Sequence, residues 1–234
     1  MFELNEYGDK RVLASPGFGV DVASQRMDDL DAAAVAHVRL LGAKLSVFRP
    51  RAMDIGCGSG GMAGRLAEAG ARVIAVDLSH VGVVIGHRAM TFIRGDMRRL
   101  NDLIHDAWYG TVSAIVCQRA IHYLPYMEAV GVVRSMAGFL EDGGKLFISA
   151  SGLGSELGNG YYATGAALCE RFAPLATEMA DKHGIRGRVC LYAEEDMRRL
   201  LDDAGLAIEK VYSSPFGNVK AIAGLSVQSS SAGS

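Results

Sequence analysis

Met53-Asp54-Ile55-Gly56-Cys57-Gly58-Ser59-Gly60-Gly61 is the stretch on which the fold turns. It lies between a short apolar run, residues 52–55, and a helical pattern over residues 60–69 that Gly70 stops. Gly56, Gly58 and Gly61 satisfy a GxGxxG spacing, a weak signal alone that gains force from its place between a strand and a helix. Glycine lets the backbone turn tightly there and lets a ligand approach closer than any Cβ would permit, beside the positive end of a helix dipole. Asp77, 21 residues after Gly56 and just past the second apolar run at 72–76, stands where an acid grips ribose hydroxyls.

Outward from this loop, apolar runs and helical patterns alternate as βαβ units require, which predicts a parallel sheet covered on both faces. Strands are expected at 91–93, 112–117 and 145–150, with a helix at 98–107. Ser79 is a candidate cap for a short helix after the second strand. A further helix opens at Pro125, carries Tyr126, Val130, Val133, Ala137 and Leu140 on its apolar side, and is expected to end at Asp142-Gly143-Gly144. Upstream, Met27, Leu30, Ala34, Val38, Leu41, Leu45 and Phe48 recur in steps of three and four, a helix capped by Asp21 or Ser24 and ended by Pro50. Residues 151–189 break the rhythm: a Gly- and Ser-rich loop leads into a helical stretch around 162–183, where a substrate cap is expected. A helix at 194–204 and two runs at 206–212 and 219–227 close the chain, the runs near enough to form an antiparallel pair.

With 234 residues, half of them hydrophobic and 21% charged, the chain is in the globular range, as one large domain or one domain with a cap. Lys plus Arg number 24 against 26 Asp plus Glu, a net charge of −2, which demotes a dedicated nucleic-acid binder. Cys57, Cys117, Cys169 and Cys190 form no CxxC pair and have no histidine at ligand spacing, so neither a zinc site nor a disulfide framework is expected. No apolar run approaches the ~18 residues of a membrane span, and Glu3, Glu6 and Asp9 sit where a signal peptide would be basic and then apolar. The expectation is a soluble, unprocessed, cytoplasmic protein with reduced thiols.

Two cofactors suit such a first βαβ unit, a dinucleotide or S-adenosylmethionine. Asp54, two residues before the first glycine, would repel a pyrophosphate but suits the α-ammonium of a methionine moiety. Here the residues resemble the class I S-adenosylmethionine-dependent methyltransferase family over roughly residues 53–212. The family's acid-x-Gly-x-Gly-x-Gly motif is matched by Asp54, Gly56, Gly58 and Gly60, and its ribose acid by Asp77 in Ile-Ala-Val-Asp-Leu-Ser. Gly95-Asp96-Met97 resembles the adenine-binding turn after the third strand. The resemblance implies that Asp96 accepts from the adenine amino group while the Met97 backbone meets the ring. Cys57, Leu78 and Gln118 complete the expected cofactor contacts. Phe139-Leu-Glu-Asp-Gly-Gly-Lys-Leu-Phe-Ile and the helix and strand of 192–206 also resemble family segments. The implied fold is α/β, doubly wound, a mostly parallel seven-stranded sheet with an antiparallel C-terminal hairpin, an N-terminal helix and a cap insertion. The implied division is a lead and helix at 1–50 (a candidate lid), a methyltransferase domain at 51–227 with its cap at 151–189, and a disordered tail at 228–234.

The segment after the fourth strand, Cys117-Gln-Arg-Ala-Ile-His-Tyr-Leu-Pro125, should face the transferred methyl. It resembles the Leu-His-His-hydrophobic-Pro segment of many small-molecule methyltransferases, with His122 at the first His position and Tyr123 replacing the second. His122 is the candidate general base, since an imidazole titrates near neutral pH, and Tyr123 a candidate hydrogen-bond donor or pocket wall. Tyr7, Tyr161 and Tyr162 are candidates for closing over the ligands, and Arg186 and Arg188 for gripping an anionic acceptor. Arg98-Arg99 and Arg198-Arg199 read as solvated helix faces. The absence of an Asn- or Asp-Pro-Pro-aromatic motif and of a Pro-Cys pair argues against DNA-base methylation. With Asp77 and Asp96 assigned to the cofactor, no metal is expected.

The reaction expected is methyl transfer to an oxygen or nitrogen of a small molecule or saccharide. A second reading is a cofactor-binding subunit acting with a protein partner, for example on envelope polysaccharide or protein, or as a homodimer. It would be favoured by an N-terminal helix that exposes Met27, Leu30, Val38 and Leu41. A third, weakened by Asp54, is an NAD-dependent dehydrogenase.

Overall fold

In the computed structural model the apolar runs lie side by side in one seven-stranded sheet, because each is too short and too apolar to be stable unless both its faces are covered. The structure describes residues 17–19, 26–44, 49–79 and 87–226. Strands β1 (Arg51–Ile55), β2 (Arg72–Asp77), β3 (Met90–Arg94), β4 (Val112–Gln118) and β5 (Leu140–Ala150) are parallel. The hairpin β8 (Leu206–Ser213) and β9 (Val219–Leu225) adds antiparallel to β5, giving the order β3-β2-β1-β4-β5-β9-β8. The strand order reverses between β1 and β4, and there a crevice opens beyond the carboxyl ends of the strands.

Side chains alternate across the sheet. Met53, Ile55, Ile115 and Cys117 pack under α4 (Tyr126–Phe139) and α6 (Glu194–Asp203), whereas Ala52, Ala114 and Val116 pack under α1 (Asp29–Lys44) and α2 (Gly61–Glu68). The apolar stripe of α1 is spent on this second layer. Leu30, Ala34 and Val38 are fully buried, while Met27 and Leu40 are exposed as single residues. The stripe that would have marked a partner surface is therefore largely used within the chain.

The cap of residues 151–192 is anchored by its own apolar cluster, with Leu157, Tyr161, Leu175, Met179, Ile185 and Leu191 at its centre and Tyr123 packed against it. It holds a two-stranded ribbon, β6 (Ala173–Pro174) with β7 (Arg188–Val189), and one helix, α5 (Thr177–His183). Arg171, buried, ion-pairs with Asp196 at the start of α6 and donates to the Leu191 carbonyl at 3.2 Å, tying cap to domain. Removing one partner of a buried pair strands the other charge. Arg171→Ala is expected to cost about 3–5 kcal/mol in urea unfolding. A loss below about 1 kcal/mol would show that the pair does not hold the cap.

Several expectations are corrected. The helix expected at 98–107 is broken into a 3₁₀ turn (Met97–Arg99), a single α-turn α3 (Leu100–Leu103) and another 3₁₀ turn (Asp106–Trp108). Asp96 accepts from the Arg98 N–H at 2.9 Å and His105 from the Ala107 N–H at 3.1 Å, and such local bonds compete with a continuous helix. The helical stretch expected at 162–183 reduces to α5 after 3₁₀ turns, with Pro174 biasing Ala173 to extended backbone. α4 ends at Phe139, not at the Asp-Gly-Gly triplet, which instead bulges within β5 where the register to β4 shifts. Asp28 caps α1: it accepts from the Leu30 and Asp31 N–H groups at 2.9 and 3.0 Å, and Asp31 accepts from the Asp28 N–H at 3.0 Å in return. Asp21, Ser24, Leu45, Phe48, the segment after Ser79, the end of the 219–227 run and the tail at 228–234 lie outside the described residues. No helix among the described residues is long and apolar enough to cross a membrane.

Candidate active site

The crevice is a cavity of about 1140 Å³, bounded by the loop after β1, the ends of β2 and β4, the cap, and the first turn of α1. Sites for a single small molecule run ~300–1,000 Å³, so this one has room for a nucleoside-sized ligand and a second molecule. At one end the chain leaving β1 folds back on β2: the N–H groups of Gly56 and Cys57 both donate to the Val76 carbonyl, at 2.8 and 3.1 Å. Gly56 has φ +72°, and a Cβ there would lie 2.4 Å from that of Ala120. Gly58 donates its N–H to Asp77 Oδ2 at 3.0 Å, and the other carboxylate oxygen takes the Ser79 N–H at 3.0 Å. Asp77 therefore staples the glycine loop to the end of β2. Gly60, φ +87°, turns the chain into α2 and does not line the cavity.

Asp54, buried, lines the cavity at the end of β1. Burial and the Asp54 charge push the adjoining Cys117 thiol up to about 12, so it carries no thiolate chemistry. Leu78, Asp96 and Met97, which follow the ends of β2 and β3, also line the cavity. Hydrogen bonds from the Arg98 guanidinium hold Asp96 below the usual carboxylate range, and Arg98 also reaches Glu128 at 3.0 Å. Any ligand amino group reaching Asp96 shares the carboxylate with Arg98. The Gln118 side chain is likewise engaged: its amide donates to Asp31 at 2.7 Å and Asp28 at 3.2 Å, and its carbonyl accepts from Ser149 at 2.5 Å.

A family model described as a methyltransferase domain matches residues 52–144. Among curated proteins, a ubiquinone biosynthesis O-methyltransferase of Xanthomonas oryzae pv. oryzae is 31% identical over 122 residues, 50% of this chain and 50% of its own. Among solved structures, the 1,6-didemethyltoxoflavin-N1-methyltransferase of Burkholderia thailandensis, bound to its acceptor and S-adenosylhomocysteine, aligns with a TM-score of 0.57 at 17% identity, covering 83% of this chain and 77% of that one. Magnesium protoporphyrin IX methyltransferase of Synechocystis PCC 6803 with S-adenosylmethionine gives 0.51 at 19% identity, covering 86% of each. Residues 52–144 thus match a methyltransferase domain, and the fold is that of S-adenosylmethionine-dependent methyltransferases. The chain spans about half the length of that curated relative.

The two solved methyltransferases hold S-adenosylhomocysteine and S-adenosylmethionine, and the residues present in this chain fit such a ligand. The turn at Gly56 tolerates no side chain, and the buried acid at Asp54 complements a positive group and opposes a pyrophosphate. Asp77 ends β2 where a ribose would lie. The structure brings Asp54, Gly56, Cys57, Gly58, Asp77, Leu78, Asp96, Met97, Gln118, His122 and Tyr123 around one cavity.

It does not bring in the residues expected to hold the acceptor. Tyr161 is buried in the cap and donates to the Val189 carbonyl at 2.7 Å, and Tyr162 is 71% exposed. Arg186 pairs with Asp181 at 2.7 Å in solvent, and Arg188 lies over the Phe172 ring, both away from the cavity. Tyr7 lies outside the described residues. The alternation of the cap's apolar residues, which turns Tyr161 inward, was not separable from a loop in sequence. In their place the walls include Arg119, Glu156, Phe172, Lys182, His183 and Phe216. Arg119 has φ +48°, the one non-glycine positive φ among the described residues, and its N–H is held by the Ser149 carbonyl at 2.9 Å.

Lys220, 4% exposed, reaches across from β9 to Asp28 at 2.7 Å and to Asp29, bolting the first turn of α1 to the hairpin at the cavity mouth. Burial raises the Asp28 carboxyl, but hydrogen bonds from Lys220 and the Asp31 backbone outweigh it and leave it below its usual range.

His122, buried, forms part of the cavity wall, its ring 4.2 Å from that of Tyr123 and its Nδ1 3.4 Å from the Ser151 N–H. Burial first, then the Arg119 charge, pulls it down to about 3. So weak a base is mismatched to proton abstraction near neutral pH. The unfolded chain protonates this histidine near 6.5 and the native state only near 3, so its stabilising contribution is full above pH 6.5 and falls as pH drops. By pH 5 the loss is about 2 kcal/mol. Urea midpoints measured at pH 7.5 and 5 are expected to fall less in His122→Gln than in wild type. An equal fall would mean that His122 is protonated in the native state.

Proposed function

We propose that this chain is an S-adenosylmethionine-dependent methyltransferase that methylates a hydroxyl oxygen of a small, ring-bearing molecule. The observation that carries this reading is the division of the cavity. One end is the glycine turn with Asp54 and Asp77, and the other is walled by Phe18, Tyr123, Leu157, Phe172, Ile185 and Phe216, apolar and mostly aromatic, interrupted by a few polar groups. The O-methyltransferase activity named for the Xanthomonas relative supports oxygen as the acceptor atom. When bound, S-adenosylmethionine supplies a methyl on a sulfonium whose departure leaves a neutral thioether. The chain then has to align the acceptor oxygen, exclude water and, for a hydroxyl, remove its proton. The cap cluster and the buried segment at Ile121 and His122 exclude water from the reacting end.

The test is a methylation screen read by mass spectrometry. Purified protein and S-adenosylmethionine are incubated with catechol, substituted phenols, the matching anilines and free sugars. Methylated phenols with unmodified anilines and sugars are the expected result. Methylation confined to anilines would move the reading to nitrogen, and methylation confined to sugars would move it to saccharides. Tight S-adenosylhomocysteine binding with no product from any acceptor would favour the partner-dependent reading.

A further inference from the structure

Two histidines line the cavity among the described residues, His122 and His183. Among the described residues no carboxylate bonds to the His122 ring, and the side chain is closed off from solvent. His183 differs on both counts. It ends α5, its side chain 27% exposed, and its Nε2 lies 3.1 Å from Glu156 Oε2. Glu156 sits in the 3₁₀ turn Glu156–Gly158 on the facing side of the cap, and its other oxygen holds the Lys182 ammonium. All three residues line the cavity.

The main chain at His183 lies close to Tyr123: a Cβ on Gly19 would lie 3.1 Å from the Tyr123 hydroxyl and 3.5 Å from the His183 backbone carbonyl. His183, Glu156 and Tyr123 line the same cavity. Tyr123 in turn donates its hydroxyl to the Phe18 carbonyl at 2.6 Å. Around His183 the charged and titratable groups are therefore Glu156 and Lys182, the Asp181–Arg186 pair on the solvent side, and Tyr123.

The chemistry follows from the hydrogen bond. A neutral imidazole that donates Nε2–H to a carboxylate has its lone pair on Nδ1, and the carboxylate fixes that tautomer and the orientation of the ring. Lys182 holds the other oxygen of the same carboxylate, which keeps Glu156 in place.

We propose that His183, oriented by Glu156, is the general base that takes the proton of the acceptor hydroxyl. The proposal rests on the oxygen-methylation reading above. In the step, the acceptor O–H bond breaks and its proton goes to His183 Nδ1. The oxygen keeps the electron pair and bonds to the methyl carbon, whose former bond to sulfur breaks with both electrons staying on sulfur. The imidazolium then gives its proton to water.

The test combines kinetics with a measurement that needs no turnover. Wild type, His183→Gln and Glu156→Gln are compared on the phenol that gives most product in the screen, over pH 5.5 to 9. Wild-type kcat is expected to fall on the acid side, and His183→Gln to lose about 100-fold or more in kcat together with that acid limb, the usual contribution of a positioned base. Glu156→Gln should fall less. S-adenosylhomocysteine affinity should stay within about twofold in both, because neither residue touches the cofactor loop. In parallel, nitrogen-15 spectra of histidine-labelled wild type with S-adenosylhomocysteine report the neutral tautomer of His183. The Nε2–H form is expected. An acid limb retained by His183→Gln, or an Nδ1–H tautomer in wild type, overturns the proposal, and the second holds even where the variant fails to fold. If no hydroxyl acceptor is methylated, the oxygen reading falls and takes the base with it. Methylation that proceeds undiminished in His183→Gln removes the base alone.

Discussion

Gly56→Ala is expected to abolish measurable S-adenosylhomocysteine binding, a loss of at least about 100-fold, while leaving a folded but weakened chain. Two physical costs meet at this position. At φ +72° an L-residue is strained by about 1–2 kcal/mol. The new Cβ would also lie 2.4 Å from the Ala120 Cβ, and neither atom is the end of a flexible side chain. Ala120 follows Arg119, itself at φ +48°, so that segment has little freedom to retreat. Overpacking of this kind costs about 1–3 kcal/mol when the backbone absorbs it. The element free to move is the glycine loop, which shifts the N–H groups of Gly56, Cys57 and Gly58 out of register with Val76 and Asp77. Gly70→Ala is the control. It too sits at positive φ, +106°, but its Cβ would meet nothing within 4 Å, so stability should fall without loss of affinity. Calorimetric titration and urea unfolding of both variants decide the matter. Affinity retained within threefold in Gly56→Ala would show that the turn does not shape the cofactor site.

Asp77→Ala is expected to weaken S-adenosylhomocysteine by about 10- to 150-fold, the ~1.5–3 kcal/mol of charge-assisted hydrogen bonds. The carboxylate does two things that one substitution confounds: it holds the Gly58 and Ser79 N–H groups, and it places a negative charge at the end of β2. Asp77→Asn separates them, because its carbonyl can still accept from Gly58 while the charge is gone. If Asn restores most of the affinity, the residue acts by holding the loop. If Asn binds as poorly as Ala, the charge itself meets the ligand. Wild-type affinity in both variants would remove Asp77 from the site. NADH, titrated beside them, should give no heat.

The glycine turn was legible because its signal is local. The spacing of Gly56, Gly58 and Gly60 and the acids at 54 and 77 lie within one βαβ unit, and short-range sterics dictate what such a unit does. The antiparallel hairpin was legible for the same reason: a short turn leaves β8 and β9 few other ways to pair. The broken helix at 97–108 was not, because side chains of Asp96 and His105 bonding to nearby N–H groups overrode an apolar spacing that propensity alone reads as helix. The true cap of α1 was within reach, since Asp28 and Asp31 form a reciprocal pair three residues apart.

The acceptor end was hidden for a different reason. His122 reads as a base in sequence because imidazole titrates near neutrality, and only its burial beneath the cap, far along the chain, pulls it down to about 3. Tyr161, Tyr162, Arg186 and Arg188 were expected in the pocket from their place in the insertion, yet which face of an irregular segment turns inward is set by its own apolar cluster. Glu156 and His183 stand 27 residues apart, and Lys220 meets Asp29 across 191, so no window of sequence contains either contact. The sheet, its glycine turn and the two acids beside that turn were written in the sequence alone, since they follow from hydrophobic period and glycine sterics over a few residues. The tertiary structure alone decided which histidine is buried and which meets a carboxylate, because burial and charge pairing depend on what the rest of the chain brings alongside.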